Sequence, residues 1–134
     1  MKAYAFAMPI LSGKTEVLRK YLRELSSRKE EYDRSCQRLG IRTEQIWIQR
    51  APQGKGPDLL ITMWDTDDPM YIFKHGFESK DSFEQFFKDK IFVECLGMDV
   101  TQLDPNQMPP LNEHIVDHTP PAVKEKQQVQ AGKS

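Results

Sequence analysis

The sequence predicts an α+β domain in the order strand, long helix, two-stranded hairpin, helix and short strand, with a proline-rich tail. Three observations carry this reading. Apolar residues alternate with period two at the start of the chain and on both sides of a glycine turn near its middle. Between and after these stretches they recur at spacings of three and four. Past Asp104, Pro105, Pro109, Pro110, Pro120 and Pro121 interrupt regular structure. The domain is expected over 1–104. The tail, 105–134, is expected to be largely disordered, because its Lys-, Gln- and Glu-rich end has little to bury.

Taken in order, Tyr4, Phe6 and Met8 alternate with Ala3, Ala5 and Ala7, giving a first strand with one bulky and one small face, ended by Pro9. Ser12-Gly13 turns the chain into a helix over about Lys14 to Leu39, whose stripe is Leu18, Tyr21, Leu22, Leu25, Tyr32, Cys36 and Leu39. A bend is expected at Ser26-Ser27, and Gly40 stands where a left-handed C-cap belongs. Strands near Glu44–Arg50 and Asp58–Asp65 flank the turn Pro52-Gln53-Gly54-Lys55-Gly56-Pro57. Pairing them about Gly54-Lys55 puts Ile46 and Ile48 on one face with Leu59, Ile61 and Met63. Gln45, Trp47 and Gln49 then share the other face with Leu60, Thr62 and Trp64.

Asp67-Asp68-Pro69 has the acidic cap and first-turn proline of a helix start. That helix is expected to run to about Lys74 and break at Gly76. Ser79 or Asp81 caps a second piece with the stripe Phe83, Phe86, Phe87, Ile91 and Cys95, ended by Gly97. Asp99–Leu103 is expected to be the last strand.

Composition narrows the function classes. The chain has 134 residues, and 20 acidic against 19 basic side chains leave a formal net charge of -1. This is not the one-signed field of a nucleic-acid binder, and no stretch approaches the ~20 apolar residues of a membrane span. The start lacks the long apolar core of a secretion signal, so a cytoplasmic protein is expected, with Cys36 and Cys95 as buried thiols rather than a bridge. No phosphate-binding glycine loop, nucleophile elbow or paired-cysteine zinc signature occurs, and no cofactor is expected.

The order βαββαβ is that of a ferredoxin-like fold, a four-stranded antiparallel sheet with both helices on one face. The aliphatic hairpin face is expected to meet the helices. The Trp47/Trp64 face is too apolar to leave bare, and a second copy of the chain is expected to cover it.

Leu60-Ile61-Thr62-Met63-Trp64, followed by Asp68-Pro69 and the Phe-rich Ser82–Phe92, resembles the dimeric α/β-barrel superfamily. Its members include antibiotic-biosynthesis monooxygenase-like, stress-responsive and muconolactone-isomerase-like families. The opening Phe6–Lys14 is also similar to that of uncharacterised bacterial proteins of this shape. The resemblance covers roughly Lys2–Leu103. It implies face-to-face pairing of sheets in a homodimer and a small-molecule ligand held between sheet and helices. The activity it implies is a cofactor-free oxygenase or isomerase acting on a small organic substrate, with a non-catalytic homodimeric ligand- or protein-binding module as the alternative. Haem-degrading relatives carry a histidine late in the second helix; Phe92-Val93-Glu94-Cys95-Leu96 has none.

Four residues are candidates for the site. His75, beside the expected break, has the chemistry of a general base, although a histidine at a helix C-terminus also favours the helix dipole. Arg50 shares its parity with Ile46 and Ile48 and so brings a charge to an aliphatic face. Tyr4 and Tyr21 can orient a small acid or phenol through their hydroxyls. Arg34 and Arg38 read as surface partners of Glu30 and Glu31. His114 and His118, four apart in the tail, lack a third ligand at recognisable spacing, and no metal site is assigned.

Overall fold

The structure, a computed structural model, describes residues 2–98 and 110–122. Strand β1 spans Ala3–Pro9, helix α1 Thr15–Ser27, helix α2 Lys29–Leu39, strand β2 Ile41–Gln49, strand β3 Leu59–Thr66, helix α3 Pro69–Glu78 and helix α4 Ser82–Phe86. A π-helical run, Phe87–Cys95, continues directly from α4. The described strands form one antiparallel sheet in the order β1-β3-β2. The chain is therefore α+β. The expected strand Asp99–Leu103 lies outside the described residues. None of the described helices is long and apolar enough to cross a membrane.

Local chemistry sets most boundaries. Asp68 caps α3 by accepting the Tyr71 N–H at 3.1 Å, with Pro69 at the first helical position. Asp81, rather than Ser79, caps α4, accepting the N–H groups of Phe83 and Glu84 at 3.1 and 3.2 Å. Gly40 closes α2 with φ 74°, where only glycine is unstrained.

The expected single long helix is two. Arg28, at φ -94° and ψ 55°, separates α1 from α2, and its side chain binds Glu31. Ser26 and Ser27 turn their hydroxyls back onto the carbonyls of Leu22 and Glu24, which loosens the end of α1. The expected break at Gly76 does not occur. Ile72, Phe73 and Phe77 are all buried, and keeping Phe77 in the core carries α3 through the glycine to Glu78.

The register differs from the expected one by a residue, and with it the faces of the hairpin. Ile46 pairs with Thr62, Trp47 with Ile61 and Ile48 with Leu60. The cause is the connection 50–58. Gln53, Gly54 and Gly56 all have positive φ there, and Asp58 accepts both the Ala51 N–H at 2.7 Å and the Thr15 hydroxyl at 2.6 Å. Leu60, Thr62, Trp64 and Thr66 are therefore the buried residues of β3.

The core joins Phe6, Leu60 and Trp64 from the sheet to Leu18, Leu25, Phe73, Phe83 and Ile91 from the helices. Trp64 is 3% exposed and packs against Phe6 and Phe73, with both ring-centroid separations 5.0 Å. It cannot belong to an open face. The opposite face, left uncovered by the described residues, presents Ala3, Ala5 and Ala7 of β1, Ile61 and Met63 of β3, and Trp47, which is 49% exposed.

Further along the chain, Leu111 packs against the core, and the Asn112 N–H donates to the Ala5 carbonyl of β1 at 2.6 Å. His114 and His118 are exposed, and the ring Nε2 of His114 lies 3.0 Å from the Val116 carbonyl.

Candidate functional site

Between helices and sheet lies a cavity of about 50 Å³. Its walls are mostly aromatic and aliphatic, including Trp64, Phe73, Phe77, Phe83 and Phe92, and Tyr32 and Glu44 are among its polar lining residues. Each element delivers its part by simple periodicity. Tyr32, Cys36 and Leu39 recur at helical spacing on α2. Glu44 shares strand parity with Ile46 and Ile48 and so turns inward. Ile72, Phe73, Gly76 and Phe77 form the inner stripe of α3.

The π-helical run closes the remaining wall. Its i to i+5 bonding brings Phe87 over Phe92, stacked with centroids 5.6 Å apart, and both rings line the cavity. This departs from the stripe expected at α-helical spacing, and it adds Phe92 and Leu96 to the core.

Glu44 is the chemical centre. Tyr32 donates its hydroxyl to one carboxylate oxygen, and Trp64 donates its indole N–H to the other at 2.5 Å. The residue as a whole is half-buried, because β2 is a sheet edge, but the carboxyl group itself is turned away from water. Burial pushes its pKa above the ordinary carboxylate value, and the bonds from Tyr32 and Trp64 pull it partly back. Burial, reinforced by the Glu44 charge, also raises the Tyr32 phenol and holds the Cys36 thiol up at about 12. Cys36 is thus a neutral thiol rather than a nucleophile.

Two further charges border the cavity. Glu84, with its side chain 6% exposed, is bound by Arg38 at 2.6 Å, and Arg38 also reaches Asp81 at 3.0 Å. Arg38 therefore ties α2 to α4 instead of pairing along its own helix. Lys88 directs its ammonium to the Phe77 carbonyl at 3.4 Å.

Comparison with family models, with characterised proteins and with solved structures finds no match. The site is therefore read from its own geometry.

None of the four residues singled out from the sequence lines this cavity. His75 is exposed within α3 and stacks on Tyr71, with ring centroids 4.0 Å apart. Arg50 does reach the helix side of the sheet, but as an exposed partner of Glu16 at 3.0 Å and Asp58 at 3.3 Å. Tyr21 donates to Glu94 at 2.9 Å, and that bond raises its pKa. Tyr4 lies opposite Trp64 on β1. The structure does not bring the four together around a shared partner. Glu44 was open to the argument that selected Arg50, since it too places a charge on the parity of Ile46 and Ile48.

Proposed function

We propose that this protein binds a small, largely apolar organic molecule in the cavity between helices and sheet, with Glu44 as its polar anchor. The observation that carries the reading is the desolvated Glu44 carboxyl, held by Tyr32 and Trp64 in the wall of an aromatic chamber. A carboxyl with a raised pKa is suited to taking a proton from a bound substrate and returning it. The catalytic form of the reading is therefore a cofactor-free isomerase or oxygenase whose reaction begins with proton abstraction by Glu44.

The same reading completes the architecture as a ferredoxin-like, dimeric α/β-barrel protein. The strand order β1-β3-β2 and the single helical layer support it. The second copy would cover the open face at Trp47, Ile61, Met63 and the three β1 alanines. Tight packing against the alanines suits a sheet-to-sheet contact. One observation favours the non-catalytic alternative, a homodimeric binding module. At about 50 Å³ the cavity is smaller than the ~150 Å³ that accommodates benzene, so a ring-sized substrate requires Phe87 or Phe92 to move.

Trp64 is a built-in reporter for the test. In Trp47→Phe it is the sole tryptophan, since the chain has 2. Small phenols, quinols, alcohols, amines and organic acids are titrated while Trp64 emission is followed, with calorimetry in parallel. A binding ligand should change the emission and should bind more weakly, or turn over at least ~100-fold more slowly, in Glu44→Gln. If no compound class binds by either method, the reading falls.

A further inference from the structure

The two carboxylates bordering the cavity are served differently. Glu84 has the guanidinium of Arg38 at 2.6 Å. Glu44 has only neutral donors, Tyr32 and Trp64, and forms no ion pair among the described residues. Lys88, a cationic side chain on the cavity wall, is directed to the Phe77 carbonyl rather than to Glu44. The chamber therefore holds an acidic group without a cation, enclosed by the rings of Trp64, Tyr32, Phe73, Phe77 and Phe83.

Ring faces carry negative quadrupole potential and attract cations, most strongly organic ones with little hydration to lose. A buried carboxylate is stabilised by a charged donor far more than by a neutral one. An anion lining would be repelled by Glu44, and a neutral ligand would leave its charge uncompensated. A metal ion would need several hard or nitrogen and sulfur ligands, and no group of three or more such side chains gathers among the described residues.

We propose that the cavity is selective for an organic ammonium group, a primary or methylated amine on a small apolar body, which pairs with Glu44 inside the aromatic box. This rests on the small-molecule reading above and specifies its ligand class. The cavity volume of about 50 Å³ admits a small ammonium head group, and the apolar body beyond it requires Phe87 or Phe92 to move.

The test uses three probes of one size, propylamine, 1-propanol and propionate, at neutral pH, where the amine is charged. Binding is followed on the full chain by Trp64 emission in Trp47→Phe and by amide chemical shifts in the unaltered protein. Propylamine should bind at least about tenfold more tightly than 1-propanol, the gain expected of one charge-assisted contact with ring-face attraction. Propionate should not bind. Glu44→Gln, which keeps the shape of the side chain, should bring propylamine down to the level of 1-propanol. If 1-propanol or propionate binds as well as propylamine, the ammonium assignment is overturned while the small-molecule reading stands. Retention of the amine preference by folded Glu44→Gln also overturns it. The comparison in unaltered protein decides the matter even if the variant fails to fold. Absence of binding by all three, together with failure of the wider compound series, overturns both.

Discussion

Trp64 and Glu44 are joined across adjacent strands by a 2.5 Å hydrogen bond from indole to carboxylate. This bond links the centre of the aromatic core to a desolvated acid of the cavity, and it gives the protein a specific response to pH. The Glu44 carboxyl ordinarily titrates near 4.5, and burial raises it in the folded state. Between 4.5 and that raised value the folded chain keeps a proton that the unfolded chain has released. Stability should therefore fall as pH rises through this window, and Glu44→Gln should remove the slope. Asp65 behaves oppositely. Its bond from Arg42 lowers its pKa below 3.8, so its contribution is present above that pH and is lost as pH falls through the folded value. Urea midpoints measured between about pH 3 and pH 8 for both chains check the sign of each arm.

The two tryptophans should separate association from folding. Trp47 is 49% exposed on the uncovered face, whereas Trp64 is 3% exposed within the core. Trp47→Arg should dissociate a dimer of twice 15.6 kDa in sedimentation while keeping the far-ultraviolet helix signal. Trp64→Arg should unfold the chain, because it buries an unpaired charge. A Trp47→Arg protein that sediments as the unaltered chain does would remove the uncovered face as an interface.

Truncation after Asp104 should have a measurable cost. It removes Leu111 from the core and the Asn112 bond to Ala5. One such bond contributes ~0.5–1.5 kcal/mol, and partial burial of a leucine contributes ~1–2 kcal/mol. Asn112→Pro deletes the donor, with some restriction of Leu111 before it, and should account for the smaller share in a denaturant titration. Equal midpoints for all three chains would show that the contact contributes nothing.

Gly76 offers a stabilising change. It lies within α3 without positive φ, and an added methyl group would meet only Leu39 Cδ1, at 3.7 Å. Gly76→Ala should raise stability by ~0.5–1 kcal/mol through helix propensity. A lower melting temperature would show that the cavity-lining position does not accept the methyl group.

The elements were legible in the sequence because their ends are local. Asp68-Pro69, Gly40, Asp81 and Gly97 act within a turn of their own positions. The faces of the hairpin were not legible, because strand parity depends on how the connection 50–58 closes. Gln53 at φ 54° and the Asp58 bonds to Thr15 and Ala51 settle that closure through contacts distant in sequence. Moving the register by one residue reassigns every side chain of a strand, and so Trp64 changed from a surface residue to a core residue. The site was hidden for a similar reason. Tyr32, Glu44 and Trp64 come from three elements, and only Glu44 carries a local signal, a charge on an apolar parity. The π-helical run left a trace as well, in the five-residue spacing of Phe87 and Phe92 and of Ile91 and Leu96.

The contact between Asn112 and Ala5 also bears on what this sheet does in a concentrated solution. An unoccupied strand edge is a template on which a foreign strand can add and from which aggregates grow. The outward carbonyl of Ala5 is already engaged by the chain's own C-terminal segment. At the opposite edge, β2 carries an irregularity between Ile41 and Thr43, with Arg42 held to Asp65 and Asp67. A bulge with a charge on it is a poor template. Loss of the C-terminal segment would therefore do more than lower a melting point: it would free the outward Ala5 carbonyl of the alanine-rich strand and give aggregation a place to start.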